Sequence, residues 1–410
     1  MRRPVIPLGL GTLASIALIV AAPGNVLGQS GAKVRPPTQV EVNAARTGLD
    51  RGLVYLVEGD GAGSFVQATV FGRVNAPVET TFDVLADPAL LTKMQPAMAS
   101  VEERAKRGNA VTYRWQYEGV LVHCEGLTAM ALVRPQAVQW GLTKGFGPGT
   151  MLWRLFPDGD RTIATLSLNI DIRQASHTLI RWVGRHSNDA PPMWNLGHGI
   201  LAVRGLQQVA AARAGRTGLP TPSGRSGSGP LRPLTAAQIE SLRPLFQRGS
   251  AGLIEQDAQG AVSQATVIET VAAPPDRLKQ ILSSPARWPE VLPPAVSIEI
   301  PEGAADPSQV HMTIATPGVS VESEITVAAR DDGVDVSSPS GRLRGSLLSF
   351  RVIPNGQGAL LTGAGRFRSR ESGVILRRMI DSDPYFAHGL NASALGIFVR
   401  GFKTGVERGR

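Results

Sequence analysis

The sequence predicts an α+β protein of two tandem domains with one design. In each domain a curved antiparallel sheet carries two short helices and a long C-terminal helix. Three observations predict this fold: one stretch of the chain occurs twice, strand-like segments alternate apolar and polar residues, and a Gly/Ser/Pro-rich segment separates the two copies. The 410 residues are enough for two domains with separate cores.

The repeat is clearest in residues 67–100, which return at 264–297 with a constant offset of 197 positions. In this ungapped alignment 12 of 34 residues are identical, beginning with Gln-Ala-Thr-Val at 67–70 and 264–267. Solenoid repeats have much shorter periods, so this one indicates two whole domains.

Composition limits the class of protein. A hydrophobic content of 42% and a charged content of 18% are typical of a globular chain. The net charge of +9 favours anionic partners. No dense Lys/Arg block with interleaved aromatics occurs, so nucleic acid is not an expected partner. The single cysteine, Cys124, excludes an intramolecular disulfide framework and cysteine-rich zinc sites.

The first 28 residues have the pattern of a secretory signal peptide. Arg2 and Arg3 precede an uncharged apolar run at 5–22, and small or aliphatic residues precede Gln29. An uncleaved membrane anchor is the alternative, because the run is near the minimum spanning length. Both interpretations place the folded domains beyond a membrane, either periplasmic or secreted. Residues 29–38 then form a polar leader.

The first domain is expected at 39–214. A short helix at 39–51 precedes strands at 52–58 and 65–74, joined by a glycine-rich hairpin. Helical spacing after Pro77 predicts two short helices broken at Asp87-Pro88. Residues 99–173 are strand-like, and residues 176–214 predict helix with a proline interruption at 189–192.

Residues 215–233 read as a linker that is too polar to bury. The second domain, 234–410, repeats the plan of the first. It begins with a short helix near 235–246 and strands near 253–255 and 262–272, and helices follow Pro274. Further strands extend from about 295 to 369, and the final helix is interrupted at Asp383-Pro384.

Short motifs at the start of each domain carry a family resemblance. The first copy has Val-Asn-Ala-Pro-Val at 74–78, Phe-Asp-Val-Leu-Ala-Asp-Pro at 82–88 and Met-Gln-Pro at 94–96. The second has Val-Ala-Ala-Pro-Pro at 271–275, Ile-Leu-Ser-Ser-Pro at 281–285, Trp-Pro at 288–289 and Leu-Pro at 292–293. The repeated unit thereby resembles the START-like (SRPBCC) superfamily, which includes polyketide cyclase/dehydrase and coenzyme-Q-binding groups.

The resemblance implies a helix-grip fold with a hydrophobic cavity between the sheet and the C-terminal helix. Members bind lipids, sterols, quinones or polyketides, and some are enzymes. No catalytic set of the family can be placed on this chain residue by residue, and no cofactor is expected. Secretion departs from the tandem aromatase/cyclases, which work beside a cytoplasmic synthase.

We expect ligand-binding side chains in the first domain, with ordinary core packing as the alternative. One predicted strand places three aromatic residues on a single face. A dry pocket of ~300 Å³ would cost on the order of 7 kcal/mol, so a large cavity should hold ligand or water, or open to solvent. The expected ligand-binding residues are Tyr113, Trp115, Tyr117, Trp140, Trp194 and His198.

Catalytic candidates are weaker. His123 and Glu125 share one face of a strand and would suit a base with an orienting carboxylate, but a solvent-facing polar pair is the favoured interpretation. Cys124, on the opposite face, is expected to be a small buried apolar residue. His388, like His198, lies near the interruption of a long helix and could reach the cavity mouth. The remaining histidines lack ligand spacing, so no metal site is expected.

Two further segments have a marked composition, one rich in glycine and one rich in arginine. Residues 145–149, Gly-Phe-Gly-Pro-Gly, lack the lysine of a phosphate loop and predict a turn between strands. A basic group near the last helix could contact an anionic membrane, or could form a solvated face. This group comprises Arg366, Arg368, Arg370, Arg377 and Arg378.

The favoured interpretation is an exported protein that binds or carries a hydrophobic, lipid-like molecule. The alternatives are an enzyme of the polyketide cyclase/aromatase type and an envelope interaction module with a filled cavity. The second domain suits the filled cavity better, because its strand at 319–327 carries smaller inward residues.

Overall fold

The computed structural model describes residues 34–60, 64–107, 110–292, 296–300, 308–316 and 319–409. The predicted signal peptide and residues 29–33 of the leader lie outside these ranges. Among the helices of the described ranges, none is long and apolar enough to cross a membrane.

The first unit follows the predicted order of elements. Its helices are α1 (Gln39–Leu49), α2 (Val78–Ala86), α3 (Pro88–Met94), α4 (Thr178–His186) and α5 (Ala190–Arg213). Its strands are β1 (Gly52–Gly59), β2 (Phe65–Val74), β3 (Met98–Arg107), β4 (Ala110–Glu118), β5 (His123–Val133), β6 (Ala137–Leu142), β7 (Gly149–Asp158) and β8 (Arg161–Ile170).

The second unit repeats this plan. Its helices are α6 (Ala236–Ser241), α7 (Arg243–Phe246), α8 (Pro275–Leu282), α9 (Trp288–Val291), α10 (Val374–Ser382) and α11 (Phe386–Glu407). Its strands are β9 (Gly249–Gln256), β10 (Val262–Val271), β11 (Val296–Glu299), β12 (Gln309–Thr316), β13 (Val319–Arg330), β14 (Gly333–Ser337), β15 (Leu347–Asn355) and β16 (Gly358–Arg366).

Prolines set the helix boundaries, as the sequence predicts. Asp87 separates α2 from α3, and its carboxylate accepts the N–H of Ala89 at 3.0 Å. Pro88 is the first residue of α3, where a missing N–H breaks no helical bond. Pro191 and Pro192 likewise lie in the first turn of α5, so they begin the long helix and do not kink it.

The two units share one sheet. Within the described residues, sixteen strands form a continuous antiparallel sheet, and the units meet where β1 pairs with β9. Outward from this junction the strand orders correspond: β1-β2-β8-β7-β6-β5-β4-β3 on one side and β9-β10-β16-β15-β14-β13-β12-β11 on the other. The duplicated domains therefore continue each other edge to edge.

The register at the junction is that of a pseudo-twofold axis. Tyr55 pairs with Gly252, which is its own equivalent at the repeat offset of 197. A Cβ on Gly252 would lie 2.5 Å from the phenol oxygen of Tyr55, so two large side chains cannot both fit here. Like an isologous dimer interface, the junction uses the same surface of each unit.

The charged contacts at the junction are reciprocal. Arg51 of the first unit contacts Glu255 of the second at 2.7 Å. Its repeat equivalent, Arg248, contacts Glu58 of the first unit at 2.6 Å and also pairs with Glu41. Each unit therefore supplies the arginine of one ion pair and the carboxylate of the equivalent ion pair.

Both faces of the sheet are covered at the junction. The long helices lie on one face, with α5 across β2 and β8 and α11 across β10 and β16. Helices α1, α6 and α7 cover the other face with a second apolar cluster that includes Leu56 and Leu253. This double coverage explains why β1 is buried along most of its length without polar alternation.

The two long helices pack against each other. Gly389 of α11 lies so close to α5 that a Cβ there would be 3.1 Å from the Cα of Gly197. Ser393 donates a hydrogen bond to the carbonyl of Met193 at 3.1 Å. The cores of the two units therefore form one continuous apolar cluster.

The expectation that residues 215–233 are too polar to bury is wrong in part. Pro222, Gly224 and Gly227 are buried. The hydroxyl of Ser226 donates to the carbonyl of Phe367 at 2.6 Å. This segment lies against the second unit because its backbone groups find partners there.

Candidate functional site

The candidate site is an apolar cavity of about 40 Å³ in the first unit. Its wall combines side chains from α3, from strands β3 to β7, from the β6–β7 loop and from α5. The lining residues are Leu91, Gln95, Met98, Val101, Tyr113, Trp115, Thr128, Met130, Trp140, Leu142, Phe146, Met151 and His198. At ~24 cal/mol per Å³, an empty cavity of this size costs about 1 kcal/mol, far less than the sequence-based figure for a larger pocket.

Four of the six expected ligand-binding residues line this cavity. They are Tyr113, Trp115, Trp140 and His198. Tyr117 and Trp194 are not among the lining residues, but their rings pack on Phe146, which lines the cavity. The alternation along β4 is the local reason, because it turns the side chains of Tyr113 and Trp115 inward.

Phe146 is the central residue that the sequence reasoning missed. Its ring centroid lies 5.2 Å from Trp115, 5.0 Å from Tyr117, and 5.7 Å from both Trp194 and His198. The sequence does contain a signal, since a phenylalanine between two glycines is unusual for an exposed turn.

Those glycines hold Phe146 in place. Gly145 and Gly147 have φ values of 97° and 123°, which other residues rarely adopt. A Cβ on Gly145 would collide with the indole of Trp115. The β6–β7 loop is therefore a turn, as predicted, and it also carries an aromatic side chain into the core.

Two indole N–H groups on this side of the sheet differ in their bonding. The Nε1–H of Trp115 donates to the hydroxyl of Thr128 at 2.9 Å. The Nε1 of Trp140 is buried and has no acceptor among the described residues. The Trp140 indole therefore keeps an unpaired, buried N–H next to the cavity that its ring helps to line.

The titratable groups of the cavity are neutral at pH 7. Burial lowers the pKa of His198 to about 4. Burial, and secondarily the charges of Glu103 and Asp87, raise the pKa of Tyr113. An uncharged wall suits an apolar guest and leaves His198 free to act as a hydrogen-bond partner.

The weak catalytic candidates lie away from the cavity. His123 and Glu125 are exposed on the outer face of β5. The carboxylate of Glu125 contacts Arg114 at 2.6 Å and accepts from Gln116 at 3.3 Å. Cys124 is half-buried on the inner face, and burial raises the pKa of its thiol to about 11. A thiol of this kind is protonated at neutral pH and is a poor nucleophile.

The second unit has a larger, buried side chain at a position that borders the cavity in the first unit. Trp288 stands at the repeat position of Leu91, a cavity residue, and is fully buried. Its indole packs on Phe402 at 5.4 Å, and Phe402 packs on Phe350 at 5.3 Å. These three rings occupy the space between the sheet and α11.

His388 does not reach a cavity mouth. It is fully buried in α11. Burial, together with the nearby charge of Arg204, holds its pKa well below the ordinary value. His388 is therefore a neutral residue of the interior.

The basic group near the last helix is smaller than the sequence suggests. Arg366 is buried, and its guanidinium donates to the carbonyls of Ser263 and Gly229. Arg370 pairs with Asp381 at 2.8 Å. Arg377 and Arg378 remain exposed on α10. Of the described residues, no group of three His, Cys, Asp or Glu side chains is placed to hold a metal ion.

Fold and cavity together define the class: two fused helix-grip domains, the first of which has an apolar cavity. A family model described as polyketide cyclase / dehydrase and lipid transport matches residues 66–190. This match in the first unit, and the repetition of the same elements in the second, confirm the START-like resemblance. The fold is of the hydrophobic-ligand-binding or polyketide cyclase type.

Solved structures with similar chains include single and double domains. The di-domain aromatase/cyclase StfQ of the steffimycin biosynthetic pathway is 13% identical, with 83% of this chain and 98% of that chain covered and a TM-score of 0.28. The Zhui aromatase/cyclase of Streptomyces sp. R1128 is 17% identical, with coverages of 37% and 98% and a TM-score of 0.32.

A STAR-related lipid transfer protein from Xanthomonas axonopodis is 12% identical, with 44% of this chain and 98% of that chain covered and a TM-score of 0.30. A search of curated proteins found no significant match.

Proposed function

We propose that this protein is exported and binds a hydrophobic, lipid-like molecule in the cavity of its first unit. The observation that carries the proposal is the wall of that cavity, which is apolar and aromatic and contains no charged side chain. The expected guest is therefore an apolar molecule.

The cavity must widen to admit such a molecule. Its present volume of about 40 Å³ has room for a few water molecules at most. Three of its lining side chains, Met98, Met130 and Met151, are flexible thioethers that can repack. Rotation of these side chains and displacement of Phe146 would open the space between β4 and α5.

The repeat supplies a matched test. The L91W substitution places in the first unit the residue that Trp288 provides in the second, and should fill the cavity. Protein purified without detergent would be studied by native mass spectrometry and solvent extraction. We expect a co-purifying or added lipid-like molecule on the wild type and none on L91W. A wild-type protein that takes up no apolar molecule would contradict the proposal.

Export is tested separately. The mature N-terminus of the protein, sequenced from periplasmic, secreted and membrane fractions, should begin at Gln29. An intact N-terminus in the membrane fraction would support the anchored alternative, and an intact N-terminus in the cytoplasm would refute export.

A cyclase-type enzyme is the second candidate, and it is favoured by the neutral His198 and Tyr113 on the cavity wall. In that case His198 would act as a base or hydrogen-bond partner during ring closure. With a polyketide substrate in hand, H198Q and Y113F should lower turnover. Unchanged turnover in both variants would exclude these two residues.

A further inference from the structure

A second, larger space lies between the two units. This groove is bounded by the start of β1, by α5, by residues 217–220 of the linker and by the end of β9. Its volume is about 490 Å³, within the range of small-molecule sites of about 300–1,000 Å³. The groove is distinct from the cavity of the first unit, and nothing in the proposed function uses it.

Arginines outnumber acidic residues in the lining of the groove. Four arginines and two aspartates line it. Three of the arginines have carboxylate partners. Arg51 contacts Glu255 at 2.7 Å, Arg73 pairs with Asp50 and with Asp158, and Arg161 lies 4.0 Å from Asp158. The second lining aspartate, Asp257, accepts the backbone N–H groups of Gln259 and Ala261.

Arg204 is the fourth arginine, and it is different. It is 3% exposed. Its guanidinium donates to the side-chain oxygen of Gln207 at 3.2 Å and to the carbonyl of Ile254 at 3.5 Å, both neutral acceptors. No carboxylate of the described residues is within 4.0 Å, and its Nε has no acceptor among them. Buried charges are normally paired, so this arrangement is costly without an anion.

The neighbours of Arg204 do not neutralise it. Burial lowers its pKa to about 10, so the guanidinium stays charged at pH 7. Burial also raises the pKa of the nearby Tyr385 to about 12, so that phenol is uncharged. The corresponding arginine of α11, Arg400, does have an acid, since it lies 3.9 Å from Asp189.

We propose that the groove between the two units binds a small anionic molecule, whose carboxylate or phosphate group pairs with Arg204. A charge-assisted contact of this kind supplies the partner that the fold itself does not provide. The anionic group could belong to a free metabolite or to a lipid headgroup, and the two sources share this chemistry.

The test measures anion binding to the full-length mature protein by titration calorimetry at low ionic strength. The probes are inorganic phosphate, citrate and a short-chain phosphatidic acid below its micelle concentration. The variants are R204Q and, as the matched control, R400Q, since Val-Arg-Gly at 203–205 of α5 recurs at 399–401 of α11. We expect at least one probe to bind the wild type, R204Q to bind it at least about tenfold more weakly, and R400Q to bind it as the wild type does.

If R204Q fails to fold, as judged by its thermal melting, R161Q replaces it. Arg161 is an exposed arginine of the same groove, and its removal should weaken binding about two- to threefold. Phosphatidic acid binding more tightly than phosphate would identify a headgroup site, and equal or weaker binding would identify a free anion. The proposal is overturned by no binding of any probe, by unchanged binding to R204Q, or by an equal loss in R400Q.

Discussion

Phe146 shows how much one residue contributes to the candidate site. The ring contacts two strand residues and two helix residues at once, and it lines the cavity as well. The flanking glycines allow the backbone to bring the ring inward. If the cavity opens as proposed, Phe146 is the lining side chain that we expect to move, because a loop is displaced more easily than a strand.

We expect F146A to enlarge the cavity and to increase uptake of apolar molecules. The lost packing should lower the free energy of unfolding by about 3 kcal/mol. Urea unfolding and native mass spectrometry check both effects. F156A is the control, since Phe156 is partly buried outside this cavity. Reduced uptake of apolar molecules by a folded F146A variant would contradict the view that Phe146 limits access to the cavity.

Asp383 is a buried carboxyl just before α11. It accepts the N–H of Tyr385 at 3.0 Å, yet burial raises its pKa to about 6 from the usual 3.8. The folded protein therefore holds this proton more tightly than the unfolded chain does. The stabilisation is complete below about pH 4 and is lost as the pH rises towards 6.

The D383N substitution should remove this pH dependence. The melting temperature of the variant, relative to that of the wild type, should rise between pH 4 and pH 7, since the wild type must bury a charge at the higher pH. Thermal melts at both pH values measure the effect. D331N, at an exposed position, should show no such trend. A constant difference between D383N and the wild type would argue against a buried, proton-binding carboxyl.

At the scale of elements, one asparagine anchors each long helix. Asn195 of α5 accepts the N–H of Ile170 at 2.8 Å and donates to the carbonyls of Ile170 and Pro191. Asn391 of α11 repeats this arrangement, accepting the N–H of Phe367 at 2.7 Å and donating to the carbonyl of Ala387. Both asparagines are fully buried, so these bonds fix the start of each helix against the last strand of its sheet.

N195A should lower the free energy of unfolding by about 1–3 kcal/mol, because it leaves buried backbone groups without partners. N391A should have a similar effect, and chemical denaturation measures both. N43A, on the exposed face of α1, is the control. Loss of less than about 0.5 kcal/mol in both anchor variants would show that the helices are held by packing alone.

At the scale of the molecule, the junction makes one body of two domains. The β1–β9 pairing, the contact of α5 with α11 and the exchanged ion pairs all cross between the units. The two ion pairs are not equal, however. Arg51 contacts one carboxylate of the second unit, that of Glu255. The buried Arg248 contacts two carboxylates of the first unit, those of Glu58 and Glu41.

R248M should therefore destabilise the protein more than R51M does. It would leave the buried Glu58 without an arginine partner and leave Glu41 with the longer contact to Arg35 at 3.5 Å, at a cost of about 3 kcal/mol or more. R51M removes the arginine partner of one carboxylate, Glu255, which accepts from Gln264 as Glu58 accepts from Gln67. Equilibrium unfolding in urea gives both values. Equal losses, or unfolding in two separate steps for the wild type, would contradict a shared, asymmetric junction.

Much of the fold could be predicted from the sequence because it depends on local patterns of residues. The Asp87-Pro88 break, the inward face of Tyr113 and Trp115, and the order of strands and helices all follow from residue spacing and backbone chemistry. The candidate site was predicted in part for the same reason. Phe146 was missed because its position depends on a loop that folds back over the sheet.

The duplication of one unit and the positions of its helices and strands follow from the sequence alone, since periodicity and proline positions report on local structure. The joining of the two sheets through Tyr55 and Gly252 appears only in three dimensions. So do the buried Trp288 at the position where Leu91 borders the cavity of the first unit, and the buried Arg204, which has no acid partner among the described residues. These outcomes depend on contacts between side chains that are far apart in the sequence, and residue spacing does not reveal such contacts.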